Sequence, residues 1–220
     1  MKKAFTILAC TAAMLLCGKA HAQLGVNFGY APVTLSTETT IGNNTSTSSS
    51  ELNGFFAGVN YNATITGNLG VSLGVQGRFN IKTSTGSSNF VVVSGDSKST
   101  TTQFLVDVPV LLNYSLSLGS SAKLSPFVGP MVSYALTGNT HVKTTVTVAG
   151  SSKTSEDDYA MYGDNSNNQR LDLSLAFGAS FQYLDFRVFG GYRMGLLDLN
   201  SNDNIKTTSA GIFLGLGYEL

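Results

Sequence analysis

The sequence predicts an all-β fold, an eight-stranded antiparallel up-and-down transmembrane β-barrel with extended extracellular loops. Three observations predict it. Beyond the leader, apolar residues alternate with small or polar ones at period two, segment after segment. Charged residues make up only 12% of the chain, about half the ~25% usual for soluble domains. After the leader no apolar run reaches the ~20 residues of a spanning helix, so this chain would cross a membrane only as a closed barrel.

The first element is a secretory leader, "MKKAFTILACTAAMLLCGKAHAQ". Lys2 and Lys3 form a positive start, residues 4–17 an apolar stretch, and Ala20-His21-Ala22 a small-x-small cleavage site. Residues 1–22 are therefore expected to be removed between Ala22 and Gln23, leaving residues 23–220 as one barrel domain. The apolar stretch is too short for a membrane anchor. Lipoprotein processing is disfavoured, because Cys17 follows Leu16 instead of a small residue and too little apolar chain precedes Cys10. Both cysteines fall in the leader, so the mature chain has no disulfide chemistry. Three of the thirteen basic residues also fall there, which leaves ten against thirteen acidic ones. A mildly acidic chain without a clustered basic face does not suit nucleic acid.

Eight segments follow. In "LGVNFGYA", Leu24, Val26, Phe28 and Tyr30 share one face. In "GFFAGVNYNATI", Phe55, Ala57, Val59, Tyr61, Ala63 and Ile65 alternate with Phe56, Gly58, Asn60, Asn62 and Thr64. "LGVSLGVQGRFNI" sets Leu69, Val71, Leu73, Val75, Phe79 and Ile81 against Gly70, Ser72, Gly74, Gln76, Arg78 and Asn80. "QFLVDVPVLLNY" has Phe104, Val106, Val108, Val110 and Leu112 on one face and Asp107 on the other. "LSPFVGPMVSYALT" keeps Tyr134 and Leu136 in phase with Leu124, Val128 and Val132 only if no bulge intervenes. "RLDLSLAFGASFQY" is the most regular, with Asp172, Ser174, Gly178 and Gln182 on the small or polar face. "FRVFGGYRMGLL" places Arg187 and Arg193 on that face, and "SAGIFLGLGYEL" places Glu219 there. Pro109, Pro126 and Pro130 fall on one hairpin, where a bulge or a weak ladder is expected.

Connections alternate in length. Residues 66–68, 117–122 and 183–185 read as tight turns; residues 36–50, 82–102, 138–169 and 198–206 read as long Ser/Thr/Asn/Gly-rich loops. Short turns on the periplasmic side and long loops outside suit an outer-membrane barrel, and an even strand count puts both ends in the periplasm. A soluble sandwich would carry many Lys and Glu residues on its polar face. Here that face carries glycine, which suits a crowded lumen.

The inward ionisable residues are Arg78, Asp107, Asp172, Arg187, Arg193 and Glu219. A symmetric hairpin through residues 82–102 would set Arg78 roughly opposite Asp107. Such charges are expected to pair and to bond with Gln76, Asn80, Asn113 and Gln182. They suit either an ion-passing lumen or a network that plugs it. The narrow interior of eight strands favours the plug.

Four stretches together resemble the PorT-like outer-membrane β-barrel family of Bacteroidota. "FLVDVPVLLNYSL" has an acidic residue, Asp107, two before Pro109. "LSPFVGPMVSYAL" has the Pro-aromatic-x-Gly-Pro feature at Pro126, Phe127, Gly129 and Pro130. "FGGYRMGLLDLN" has Tyr192, Gly195 and Leu196, and the chain ends "GLGYEL". The resemblance spans residues 23–220 and departs at Leu220, where many barrels end in an aromatic residue. It implies a small outer-membrane barrel with no single activity, one member type being a component of a secretion system.

No catalytic constellation stands out. The mature chain's one histidine, His141, lies in a predicted loop, and Glu156-Asp157-Asp158 with Asp164 lacks EF-hand spacing and reads as a solvated acidic loop. The glycine-rich stretches keep strand period and are not phosphate loops. "FVVV" (residues 90–93) and "HVKTTVTV" (residues 141–148) read as strand extensions that pair with each other or with an extended partner. The expectation is a non-enzymatic, monomeric outer-membrane barrel without cofactor or metal, surface-exposed in a structural or binding role. Its expected partners are outer-membrane lipid and, during insertion, the barrel assembly machinery. The alternatives are a narrow solute channel or a barrel component of a secretion machine.

Overall fold

A computed structural model describes residues 22–42, 44–89, 93–148, 151–163, 166–202 and 204–220. The predicted leader, apart from Ala22, lies outside the described residues, as do Phe90, Val91 and Val92. The strands are β1 (Ala22–Tyr30), β2 (Val33–Ile41), β3 (Asn44–Thr66), β4 (Leu69–Asn89), β5 (Val93–Tyr114) and β6 (Leu116–Ser117). They continue with β7 (Ala122–Val148), β8 (Ser151–Ala160), β9 (Leu171–Tyr183), β10 (Phe186–Gly195) and β11 (Ile205–Glu219).

All pairings are antiparallel. Following them from β1 through β11, β10, β9, β7, β5, β4 and β3 leads back to β1, so eight strands close a barrel. β2 continues β1 beyond Ala31-Pro32 in an unchanged register against β3 and β11, so the two are one wall strand interrupted at a proline. The closure rests on the pleat. Leu24, Val26, Phe28 and Tyr30 are exposed on the outside, while Asn27 is buried inside.

The outer surface carries aromatic residues at two levels. Tyr30, Phe55, Phe79 and Phe104 are cross-strand partners in one row, with the Tyr30 and Phe55 rings 5.4 Å apart. Tyr183, Phe186 and Tyr218 form another near the short turns. From Phe55 to Ile65 the strand spans roughly 24 Å at a ~45° tilt, the height of a hydrocarbon core band.

The long loops are corrected by the structure. Most of residues 36–50, 82–102 and 138–160 are strand. The β2–β3 hairpin turns at Gly42 (φ 61°), β4 and β5 pair out to Asn89 and Ser94, and β7 and β8 pair out to Val148 and Ser151. Both faces of these extensions meet water, so the apolar/polar contrast that marks a half-buried strand is missing. Residues 196–202 do form an irregular segment. There Asp198, Asn200 and Asn202 each accept a backbone N–H two residues on, at 2.9–3.0 Å.

The proline hairpin behaves differently from a bulge. The β4–β5 ladder lapses between Leu73↔Val110 and Gln76↔Asp107, and the β5–β7 ladder between Pro109↔Met131 and Leu112↔Val128, without a change of register. The bulge sits higher, where Phe104↔Thr137 gives way to Leu105↔Ala135 and Leu136 is the extra residue. Tyr134 and Leu136 both remain outward. Arg170 donates to the Ala135 and Leu136 carbonyls at 3.0 and 2.9 Å and so satisfies the bulge.

Candidate functional site

The inward positions of the strands build three levels in the lumen. The upper level is ionic. Arg78 Nε and Nη2 donate to the two Asp107 carboxylate oxygens at 2.7 and 3.1 Å. Arg78 is 2% exposed and Asp107 0%. The register places Gln76, not Arg78, across from Asp107, so the long arginine reaches it diagonally. Asn80 lies 3.4 Å from Arg78 and donates to Gln103, which in turn donates to the Tyr162 hydroxyl at 3.2 Å. The Arg170 guanidinium sits 5.2 Å over the Tyr162 ring. Asp172 accepts from the Ser209 hydroxyl at 2.6 Å.

The middle level is aromatic. Phe56 and Phe189 lie 6.1 Å apart, as do the stacked Phe127 and Phe213. Each ring lies over an inward glycine of a neighbouring strand. A Cβ on Gly29 would meet Phe56 at 2.6 Å, one on Gly178 would meet Phe127 at 2.8 Å, and one on Gly191 would meet Phe213 at 2.8 Å; Gly215 faces Phe189. The inward glycines thus make room for flat side chains.

The lower level, near the short turns, is again ionic. Glu219 accepts from Arg187 at 3.1 Å and from Asn62 Nδ2 at 2.9 and 3.0 Å. Arg187 donates to Asn60 at 3.0 Å, Ser72 bonds Asn62, and Asn113 donates to Ser72 at 3.0 Å. Of the six inward charges read from the sequence, the structure brings together Arg78 with Asp107 and Arg187 with Glu219. Arg193 is 3% exposed and has no hydrogen bond to Nε or Nη2 among the described residues. Gln182 donates to the Leu184 carbonyl instead of a charge. Asn60, Asn62 and Ser72 were not singled out from the sequence, although their inward phase marks them; Tyr162, on an irregular segment, carried no such signal.

Above the barrel, the extensions of β4, β5, β7 and β8 form a projecting four-stranded sheet. Residues 141–148, read from the sequence as a strand extension, are strand and pair with β5 and β8, whereas Glu156–Asp158, predicted as a loop, is strand in β8. On one face of β7–β8, His141 Nδ1 lies 2.8 Å from Asp158, Lys143 2.7 Å from Glu156, Thr145 3.0 Å from Thr154 and Thr147 2.7 Å from Ser152. The Lys143 ammonium bonded to Glu156 holds that carboxyl below its ordinary range. Asp157 is across from Val142, on the opposite face by strand alternation. Among the described residues no three His, Cys, Asp or Glu side chains converge to hold a metal ion.

Residues 19–201 match the model of the outer membrane protein beta-barrel domain. The chain belongs to this family. An outer membrane beta-barrel protein resides in the cell outer membrane, and the two exterior aromatic levels agree with that location. Solved structures of similar outline include Ail, the attachment invasion locus protein of Yersinia pestis, in complex with the heparin analogue sucrose octasulfate. It shares 15% identity over 90% of this chain and 99% of its own, with a TM-score of 0.33. Neisserial surface protein A shares 13% identity over 88% of this chain and 97% of its own, at 0.30. The outer membrane protease OmpT of Escherichia coli shares 10% identity over 93% of this chain and 98% of its own, at 0.44. None of these lends a role to this barrel. No curated protein sequence matches it.

Proposed function

We propose that this chain is a PorT-like, non-enzymatic outer-membrane barrel that displays a β-sheet outside the cell and binds an extended polypeptide by strand addition. One observation carries this reading. β8 is exposed along its whole length and pairs only with β7 among the described residues, so its other edge presents a row of backbone donors and acceptors. β8 mixes Lys153 with Glu156, Asp157 and Asp158, which guards such an edge against indiscriminate pairing. The buried Arg78–Asp107 layer supports a binding protein over a solute channel. His141 and Asp158 have side chains 46% and 79% exposed, where solvent screens the pair, and this supports a non-enzymatic reading.

The test is selection of extended peptides from a random biotinylated library on cells that display the barrel. Successive β8 residues aim their N–H groups alternately at β7 and outward. Of Thr154→Pro and Ser155→Pro, one therefore removes an outward donor and the other a β7-facing donor. The expected result is peptide binding that is lost with the outward-donor variant while the β7–β8 amides stay protected from exchange. Peptides that bind equally well to a barrel lacking residues 149–162 would sink the proposal.

A further inference from the structure

Below the Arg78–Asp107 layer the lumen is open. A cavity of about 310 Å³ runs from the short turns at Gly67, Asn68 and Ser117 up to Asp107 and Arg193. Its mouth lies at the end that carries the short turns, which faces the periplasm in barrels of this class.

The wall has two chemistries. The phenylalanines Phe56, Phe127, Phe189 and Phe213 supply an apolar side. The charged residues on the wall are Lys123, Arg187 and Arg193 against Asp107. Asp107 already accepts two bonds from Arg78; off the wall, Glu219 accepts from Arg187 and Asn62, and Asp172 accepts from Ser209 through Oδ2 while its Oδ1 has no partner among the described residues. With Arg78 and Arg187 so paired, the wall cations without an ion-pair partner among the described residues are Lys123 and Arg193. Donors are in surplus. Nε and Nη2 of the buried Arg193, Nε of Arg187 and Nδ2 of Asn60 have no hydrogen-bond partner among the described residues; on the cavity wall the one unpartnered acceptor is Asn27 Oδ1. A buried guanidinium is costly unless an acceptor, best an anionic one, meets its N–H fork.

We propose that this cavity is a periplasm-facing binding site for a small amphipathic carboxylate, its carboxylate on Arg193 and its apolar body against the phenylalanines. Two parallel guanidinium N–H groups match a carboxylate, and the volume is that of a small-molecule pocket. The site is separate from the projecting sheet and does not depend on the strand-addition reading.

The test uses the barrel extracted from outer membranes in detergent, titrated calorimetrically with 3-phenylpropionate. The expected result is saturable one-to-one binding at least tenfold tighter than for the neutral 3-phenylpropionamide. Arg193→Gln, in a barrel that still shows heat-modifiable migration, is expected to weaken binding at least tenfold, and Phe213→Ala to weaken it severalfold. A readout without substitution guards against misfolded variants: nuclear Overhauser contacts between the probe ring and lumen phenylalanine rings in the unaltered protein. Equal affinity for acid and amide, full affinity in folded Arg193→Gln, or contacts confined to detergent-facing residues would each overturn the proposal.

Discussion

At the scale of single residues, Asp107 shows how this barrel tolerates a carboxylate in an otherwise aliphatic strand. Val106 and Val108 face outward, and Asp107 turns into the lumen, where Arg78 takes both oxygens. Removing one member of such a buried pair leaves the other charge uncompensated. Asp107→Ala is expected to destabilise the barrel by about 3–5 kcal/mol, whereas Arg78→Met with Asp107→Leu is expected to cost far less. Urea unfolding in lipid vesicles, run as a double-mutant cycle, checks this; additive effects would show that the residues do not act as a pair. Leu184 is a second informative residue. In the two-residue turn between β9 and β10 it has φ 52°, a left-handed conformation that strains a residue with a Cβ. Leu184→Gly is expected to raise stability by about 1 kcal/mol in the same assay.

At the scale of elements, the glycine–phenylalanine contacts tie neighbouring strands together. Gly215→Val puts a branched side chain where the Phe189 ring lies, with an expected cost of about 1–3 kcal/mol. Phe189→Ala in that background is expected to recover part of the loss. The β7–β8 ribbon has a different sensitivity. Glu156 is held below its ordinary range by Lys143, so the folded ribbon binds its proton less readily than the unfolded chain does. Its contribution is present above the ordinary carboxylate range and fades as pH falls through the lowered value. The protection of β8 amides, their exchange rate relative to the intrinsic rate at each pH, is expected to fall in that acidic window, and to become less pH-dependent in Lys143→Gln. Eight wall segments were legible because each has one lipid-facing and one lumen-facing side. Of the extensions, "HVKTTVTV" was legible as strand and pairs with β5 and β8; "SSKTSEDDYA" was not, since every residue of it is exposed and period two leaves no trace. Pro109 was legible as a site of distortion, and of the two expected forms the structure shows the weak ladder, a lapse without a shift of register.

At the scale of the whole molecule, inward charges were legible as a set while their pairing was not. Which carboxylate meets which arginine depends on stagger around the ring. Arg187 on β10 reaches Glu219 on β11 and Asn60 on β3, a combination that only the closed barrel creates. With its upper lumen filled by Arg78, Asp107, Asn80 and Gln103, the barrel is expected to give no large steady conductance in planar bilayers, while shifting its gel migration on heating. Closure itself has a kinetic consequence. The seam pairs the interrupted wall strand β1–β2 with β11, and every other wall contact joins strands much closer in sequence. It must form last, because both ends are brought together only after the intervening hairpins exist, and Pro32 denies it one backbone donor. During insertion the protein therefore passes through an open sheet with two unpaired margins, and under a pulling force on either terminus that seam is where the wall unzips.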